Sequence, residues 1–497
     1  MLDSPAKLVT SELPSFADIE IAAITETVET LLANSKTAIT QLLEQNQNYS
    51  WQTLFVPLEE IEDKLHRYWS KISHLQLVMD TPELREQYNN CLPKLSDYGT
   101  WVSQNEALYN AVKSIADNPE YQQLGYPEAK VIDNALRDFR LAGVHLGTKD
   151  KEALAELNKQ TSMLTNKFDQ NLLDATQAFT LHITDVEKLK GLPESAMAGA
   201  KAAAASSNLL GWVITLEMPA YIAVMTYADD RALRQEVYTA YVTRSSDQGP
   251  FKGQWDNTPL IQEILSVRLQ KAKLLGFPNY PTYSLTTKMA KSPEEVLAFL
   301  HELAETSVAK ARQEFAELSD FADVKPLEAW DVGYYSEKLR VQRYDISQEE
   351  LRPYFPVDRV LSGLFAVVNR LYGIVITEIA DVDTWHPDVR CFLITDAANA
   401  SRGAFYIDLY ARQNKRGGAW MDDCQGRRIL RDGRVQLPIA LLTCNLNPPV
   451  GDTPALFSHD EVTTLFHEFG HGLHHMLTKI DAADVAGISG VPWDAVE

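Results

Sequence analysis

The sequence predicts a mainly α-helical protein that carries one small β-sheet, and two observations support this fold class. Over most of the 497 residues, apolar side chains recur at the spacing of an amphipathic helix. Between residues 373 and 447 the pattern changes to short runs of β-branched and aromatic residues, which are typical of strands. The predicted sheet therefore comes directly before the last helical pattern, which begins near Ser458.

Three regions follow from this pattern, with boundaries after residues 180 and 372. Region 1–180 is predicted to be helical, and its pattern at 149–176 has almost no helix-breaking residue. Region 181–372 is also mainly helical, although short strands are expected at 179–184 and 212–216. Region 373–497 holds the predicted sheet, with strands expected at 374–379, 391–395, 404–410 and 439–445.

Composition limits the possible partners. The chain has 46 basic and 68 acidic residues and a formal charge of −22, which disfavours nucleic acid because phosphates need a basic surface. No apolar run approaches the roughly 20 residues that span a bilayer, and no secretory signal is visible at the first residues. The four cysteines show no metal-type or redox-type spacing. We expect a cytoplasmic monomer that contacts neither nucleic acid nor membrane.

The pattern His467-Glu468-Phe469-Gly470-His471 is the part of the sequence that predicts a chemical function. Ser458 and Glu461 have the spacing of a capping box, so a helix is predicted to begin there. On that helix His467 and His471 are one turn apart and share a face, which lets two imidazoles meet at one zinc ion. Glu468 is offset around the helix and is better placed to accept a proton from water than to bind the metal.

A catalytic zinc site with two histidines needs a third ligand, and the spacing leaves several candidates downstream. They are Asp481, Asp484, Asp494 and Glu497. Asp494 is three residues before Glu497 on a predicted helical turn and could orient a ligand. From spacing alone, Glu497 is either a ligand or an ordinary charged residue.

His474 lies too far along the helix to complete the same site easily, so His474 and His475 are interpreted as packing or supporting groups.

Several long motifs resemble the thimet oligopeptidase family of zinc metallopeptidases. They are 133–139 (DNALRDF), 330–338 (WDVGYYSEK), 405–412 (FYIDLYAR), 415–423 (KRGGAWMDD), 466–475 (FHEFGHGLHH) and 489–497 (SGVPWDAVE). The resemblance implies His467, His471 and Glu497 as ligands of one zinc ion per chain and Glu468 as general base. It also implies a two-lobed helical fold with a channel that restricts substrates to short peptides. Region 373–497 would then be part of the catalytic core.

The resemblance also raises a question about activity. Members of the family continue past the third ligand, with further substrate-binding and oxyanion-binding residues. Residues 1–497 alone are therefore expected to bind zinc weakly and to hydrolyse peptides weakly or not at all. The alternatives are a non-catalytic helical fragment that binds peptide or zinc, and a zinc hydrolase that acts on other amides.

Gly418, Ala419 and Trp420 are candidate substrate-binding residues. Glycines at 417 and 418 would let a peptide backbone approach closely, and an extended peptide can add to the edge of a sheet through main-chain hydrogen bonds. The alternative is a hairpin turn with a buried Trp.

Overall fold

The computed structural model describes residues 13–46, 48–451 and 453–496. These residues form sixteen α-helices, nine strands and a few short turns of other helix types. The helices are α1 (Ile24–Gln45), α2 (Val56–Val78), α3 (Pro82–Ser103), α4 (Glu106–Ala116), α5 (Tyr126–Leu141), α6 (Thr148–Ala178), α7 (Glu194–Ser206), α8 (Met218–Tyr227), α9 (Arg231–Val242), α10 (Thr258–Leu274), α11 (Tyr280–Leu285), α12 (Pro293–Phe321), α13 (Ala329–Tyr344), α14 (Gln348–Leu351), α15 (Val357–Tyr372) and α16 (His459–Met476). The strands are β1 (Thr180–Ile183), β2 (Trp212–Thr215), β3 (Val375–Ile379), β4 (Arg390–Thr395), β5 (Ser401–Tyr410), β6 (Trp420–Gln425), β7 (Arg428–Ile429), β8 (Val435–Gln436) and β9 (Ile439–Leu446).

The predicted fold class is confirmed: the protein is mainly helical and has a small mixed sheet. The strands expected at 179–184, 212–216, 374–379, 391–395, 404–410 and 439–445 are present as β1 to β5 and β9. The boundary predicted after residue 372 coincides with the end of α15, whereas the boundary predicted after residue 180 falls inside β1. The division into three domains stays a prediction. No helix among the described residues is both long and apolar enough to cross a bilayer.

The first helices have the buried stripes that their spacing predicts. In α1 the buried apolar residues are Ile24, Val28, Leu32 and Ile39, which pack with apolar residues of α2 and α3. Local side chains define the helix starts, because Thr81 caps α3 by accepting a hydrogen bond from a backbone N–H. The helices therefore form where apolar spacing and a polar cap coincide.

A buried carboxylate joins two helices of the middle region. Asp331 on α13 is fully buried and accepts hydrogen bonds from Arg231 Nε at 3.0 Å and Arg234 Nη2 at 2.8 Å, both on α9. Burial alone would raise the pKa of Asp331, but the two guanidinium groups lower it. One of the long motifs, residues 330–338, thus includes a carboxylate that fixes how two helices pack.

The five-stranded sheet has the order β3-β4-β5-β9-β6. β5 and β9 are parallel, and the other neighbours are antiparallel. Alternate residues of β5 point to opposite faces: Phe405 packs in a cluster with α15 and α16, and Tyr406 packs with Trp385 and Phe16. Because both faces are covered, β5 is buried along most of its length.

The sequence did not predict β6, which forms one edge of this sheet. Its residues include Asp422 and Asp423, which interrupt the apolar alternation that identifies a strand. The strand forms because it pairs with the buried strand β9, where Met421 faces Leu442 and Asp422 faces Leu441. A long-range partner therefore overrides a weak local preference.

Asp408 of β5 holds the sheet against the amino-terminal helices. This fully buried carboxylate accepts hydrogen bonds from Lys415 Nζ at 2.7 Å, Arg412 Nη1 at 2.6 Å and Trp385 Nε1 at 2.9 Å. Arg412 also donates to the carbonyl of Val78 at the end of α2, at 3.0 Å. Asp408 therefore orders the loop after β5 and, through it, the contact with α2.

We expect Asp408→Asn to lower the free energy of unfolding by about 3–5 kcal/mol, because it leaves Lys415 and Arg412 in the interior without a carboxylate. Urea denaturation followed by circular dichroism measures this loss. Glu378→Gln is the matched control, since the half-exposed Glu378–Arg390 pair should contribute only about 0–1 kcal/mol. Equal losses in the two variants would contradict the role given to Asp408.

The same carboxylate predicts a pH dependence. Burial alone would raise the pKa of Asp408, but Arg412 and Lys415 outweigh burial and lower it from 3.8 to about 2. A depressed carboxylate pKa stabilises the folded state above the unfolded pKa, and this contribution is lost as pH falls through the folded pKa. The difference in unfolding free energy between the parent protein and Asp408→Asn should therefore shrink as pH falls from about 4 to about 2. A difference that stays constant over this window would contradict the prediction.

Candidate active site

The helix α16 begins with the capping box that the sequence predicts. Ser458 Oγ accepts a hydrogen bond from the backbone N–H of Glu461 at 3.2 Å, and Glu461 Oε2 accepts one from the N–H of Ser458 at 2.8 Å. Both polar groups satisfy backbone donors that the first helical turn leaves without partners.

Glu461 also connects the start of α16 to two other parts of the chain. Its Oε1 accepts hydrogen bonds from the backbone N–H of Asn447 at 2.7 Å and from Asn447 Nδ2 at 2.8 Å. Arg352, in the turn after α14, donates to Glu461 Oε2 at 3.1 Å and to the carbonyl of Leu456 at 2.8 Å. The helix start is therefore fixed to the end of β9 and to the segment before α15.

The apolar face of α16 packs on the sheet. Leu465, Phe469 and Met476 are buried in the cluster that includes β5, β9 and α15. A Cβ atom on Gly472 would lie 3.1 Å from Leu442 Cδ2, so α16 approaches β9 closely at this residue. This packing fixes the rotation of the helix and leaves His467 exposed and His471 half-buried on the accessible side.

The two histidines converge as their spacing predicts. His467 Nε2 and His471 Nε2 are 3.1 Å apart, and the two rings are perpendicular. Two nitrogen ligands at about 2.0–2.1 Å from a tetrahedral zinc ion are separated by roughly 3.3 Å. The pair therefore fits a zinc ion in both donor type and spacing.

Glu468 occupies the buried side of the same turn. Only 7% of its surface is exposed, whereas the two neighbouring histidines are accessible. Its charge contributes to the environment of Cys444 on β9: burial, and after it the charge of Glu468, raise the pKa of that thiol to about 12. The carboxylate thus lies between the histidine face of α16 and the sheet.

Each candidate for the third metal ligand has a different environment in the structure. Asp481 accepts a hydrogen bond from Arg427 Nε at 2.7 Å, and Asp494 accepts hydrogen bonds from the backbone N–H groups of Met289 and Ala290. Asp484 is exposed, in the short helical turn Ala483–Val485. Glu497 lies outside the described residues. Within the described part, no group of three or more His, Cys, Asp or Glu side chains is arranged to hold a metal ion.

The two histidines that follow the metal-binding pair have different environments. His474 is exposed, whereas His475 is 1% exposed and its Nε2 is 3.1 Å from the carbonyl oxygen of Gln425. The chain passes closely over His475 at Gly487, where φ is +60° and a Cβ would lie 2.8 Å from His475 Cα. His475 therefore links α16 to β6 and to the segment that follows the helix.

The glycine-containing turn lies at the edge of the sheet. Gly418 has a φ of +104°, a conformation that favours glycine, and Ala419 leads into the edge strand β6. Asn445 of β9 supports this turn by donating to the carbonyls of Arg416 and Gly418, at 2.8 and 2.7 Å. Trp420 is half-buried, and its Nε1 donates to Asp422.

A cavity of about 650 Å³ lies beside this turn and the start of α16. One wall contains Gly418 and Ala419 together with Asn447 and Thr464, which is one helical turn before Glu468. The other wall comes from α8, α13 and the turn after α14, and includes Ile222, Tyr227, Arg340 and Arg352. The cavity therefore lies between the sheet with α16 and the middle helical region, and its volume is in the range of ligand-binding clefts.

Sequence reasoning missed the residues that support this site. Arg352, Asn445 and Asn447 fix the start of α16 and the glycine-containing turn, and Tyr227 and Arg340 line the far wall. They belong to elements distant in sequence, and no short motif relates them to the histidines. Only the pairing of elements brings them together.

Known proteins share long stretches of this sequence. Residues 224–497 match the model of peptidase family M3, and residues 28–151 match the amino-terminal domain of the neurolysin and thimet oligopeptidase group. Oligopeptidase A of Salmonella typhimurium is 51% identical over 494 residues, which are 99% of this chain and 73% of that protein. Oligopeptidase A of Escherichia coli K12 is 50% identical, over 98% of this chain and 72% of that protein.

A solved structure shows the same fold at low sequence identity. The crystal structure assigned to oligoendopeptidase F of Bacillus anthracis has a TM-score of 0.54 and 15% identity, over 91% of this chain and 66% of that one. The match to the peptidase family M3 model covers α16, the five-stranded sheet, α13 and the last residues of α8. The chain therefore belongs to peptidase family M3, and it is a zinc metallopeptidase related to oligopeptidase A.

Proposed function

We propose that this protein cleaves short peptides at a single zinc ion held by His467, His471 and Glu497. The observation that supports the proposal most directly is the 3.1 Å separation of the two Nε2 atoms on the accessible face of α16. When bound, zinc supplies Lewis-acid chemistry and lowers the pKa of a coordinated water molecule. Glu497 comes from the family resemblance, since the described residues do not include it.

Glu468 acts as the general base in this proposal. It is adjacent to His467 on α16 and mostly shielded from bulk solvent, so its carboxylate can accept a proton from the attacking water and pass it to the leaving amine. A positioned general base typically contributes about 10²–10⁴-fold to the rate. The packing of α16 on β9 holds this carboxylate in place.

The substrate lies, in our proposal, in the cavity between the turn before β6 and the far wall. Gly418 and Ala419 line this cavity next to the edge strand and present no large side chains, which leaves room for an extended peptide to pair with main-chain groups. Trp420, the third candidate, is the first residue of β6 and is not among the residues that line the cavity. Asp494, which bonds to Met289 and Ala290, would support the segment that leads to Glu497. The predictions of a monomer, of no nucleic-acid partner and of a cytoplasmic location remain predictions.

His471→Ala should lower the zinc content of the purified protein severalfold, because it removes one of the two converging nitrogens. Glu468→Gln should retain the zinc content of the parent protein and reduce peptide hydrolysis by about 10²–10⁴-fold. Elemental analysis gives the zinc content, and a quenched fluorescent peptide assayed with and without chelator gives the hydrolysis.

His459→Ala is the matched control, since His459 is an exposed histidine on the same helix. It should leave the zinc content unchanged. Substantial hydrolysis by Glu468→Gln would remove Glu468 from the role of general base. Zinc binding without cleavage by the parent chain would favour the alternative of a non-catalytic zinc- or peptide-binding protein. The weak activity expected for residues 1–497 is tested by the same assay.

Ala419→Leu should weaken the binding of a short peptide at least tenfold, because the added side chain projects at the cavity wall beside the sheet edge. Each variant is combined with Glu468→Gln, so that the peptide is not cleaved, and isothermal titration measures the dissociation constant. Ala398→Leu is the control, because Ala398 lies in an exposed turn between β4 and β5. Equal affinities for the two variants would place the peptide elsewhere.

A further inference from the structure

A second cavity lies beside α2, on the face of the sheet opposite α15 and α16. Its volume is about 300 Å³. One wall is α2, another is formed by residues 13–15, and Cys424, Gln425 and Ile439 of the strands β6 and β9 complete the lining. No residue lines both this cavity and the larger one beside α16, so the two are separate.

Three basic side chains of α2 line this second cavity. They are Lys64, Arg67 and Lys71, at spacings of three and four residues, so they share one face of the helix. Lys71 is half-buried, and its Nζ donates a hydrogen bond to the carbonyl of Ser15 at 3.0 Å. Burial lowers the pKa of Lys71, and the positive charge of Arg67 lowers it as well. The cationic groups are therefore close enough to repel one another.

The acidic residue that lines the cavity does not neutralise these cations, because it already has partners. The carboxylate of Asp63 accepts hydrogen bonds from Arg428 Nη2 at 3.0 Å and from Gln436 Nε2 at 2.9 Å. Among the described residues, neither Lys64 nor Arg67 makes a side-chain hydrogen bond or an ion pair. The positive charge at this cavity is thus left largely without a counter-charge.

Two further carboxylates act on Lys71 from outside the cavity. The charges of Asp18 and Asp383 favour the protonated form of Lys71, but neither residue lines the cavity. Asp18 is exposed, and Asp383 accepts hydrogen bonds from the backbone N–H groups of Phe16 and Ala17 at 2.6 and 2.8 Å. They leave the space between Lys64, Arg67 and Lys71 without an acidic group.

This arrangement favours an anion as the occupant of the cavity. Like charges one turn apart destabilise a helix, so three cations on one face are unfavourable unless an anion lies among them. The cluster also contrasts with the whole chain, whose formal charge of −22 repels anions from most of the surface. A guanidinium group donates two parallel hydrogen bonds to a phosphate, and lysines bind the same group as point charges.

The lining of the cavity is connected to α16. Gln425 lines the cavity, and its carbonyl oxygen is 3.1 Å from Nε2 of the buried His475 on α16. Its side-chain amide donates to the carbonyl of Leu437 at 2.7 Å, which orders the chain before β9. An anion bound among the three cations would therefore lie beside a strand that supports α16.

We propose that Lys64, Arg67 and Lys71 form a binding site for a phosphate-type anion with two or more negative charges. Free diphosphate and the diphosphate group of a nucleotide both have this chemistry. The volume of about 300 Å³ is at the low end for ligand-binding clefts, which suits an anion of this size. Three cations within two helical turns are too few for a nucleic-acid backbone, which needs an extended basic surface. The inference does not depend on the zinc chemistry proposed above.

Isothermal titration with sodium pyrophosphate at constant ionic strength tests this proposal. Pyrophosphate should bind at one site per chain, and Arg67→Gln should raise the dissociation constant at least tenfold, because it removes the group that can donate two parallel hydrogen bonds. A second titration with ADP distinguishes the two sources of the anion. Tighter binding of ADP than of pyrophosphate would assign the site to a nucleotide, and equal or weaker binding would assign it to free diphosphate.

Arg359→Gln is the matched control, since Arg359 is an exposed arginine of α15 that does not line this cavity. It removes the same charge and should leave the dissociation constant unchanged. Absence of pyrophosphate binding by the parent protein would overturn the proposal, and so would equal weakening in the two variants. Unchanged binding by Arg67→Gln would also overturn it, because the anion would then bind elsewhere, for instance at a metal ion on α16. None of these outcomes requires peptide hydrolysis, so failure here is distinguishable from failure of the proposed function.

Discussion

The close packing of α16 on β9 is the contact on which the rest of the site depends. Gly472 lets the helix approach Leu442, and Leu465, Phe469 and Met476 fix its rotation by burying one face. The two histidines converge on the accessible side because the helix cannot turn about its axis without exposing these side chains. The capping box and Arg352 fix its other degree of freedom, translation along the sheet. The packing of α16 therefore holds the two Nε2 atoms 3.1 Å apart, and a pair with fixed geometry loses less conformational entropy when it binds a ligand.

Buried charges organise the molecule around this contact. Asp408, between the sheet and α2, and Asp331, between α9 and α13, are each satisfied by two cationic side chains. A buried carboxylate with complete hydrogen bonding tolerates little displacement, since a lost partner leaves an uncompensated charge in the interior. Asp408 therefore holds the sheet against α2, and Asp331 fixes how α9 packs on α13.

The surface of α12 contrasts with these satisfied interiors. Most helices of the protein bury an apolar stripe, whereas every residue of α12 from 297 to 316 is exposed. The cavity beside α16 and this surface are separate features, because α8, α13 and α16 contribute to the lining of the cavity and α12 does not.

The sequence by itself determined the fold class, most of the strands and the pairing of His467 with His471, because each depends on spacing within one element. Helical periodicity, a capping box and an i, i+4 pair are local and need no partner. The tertiary structure alone decided the edge strand β6 and the second wall of the cavity. It also decided that Asp481 bonds to Arg427 and that Asp494 bonds to the backbone at residues 289–290. These features depend on which distant elements meet, and that is set by the burial of apolar faces across the whole chain. Local patterns therefore predicted the convergence of the two histidines, and long-range packing decided what surrounds them.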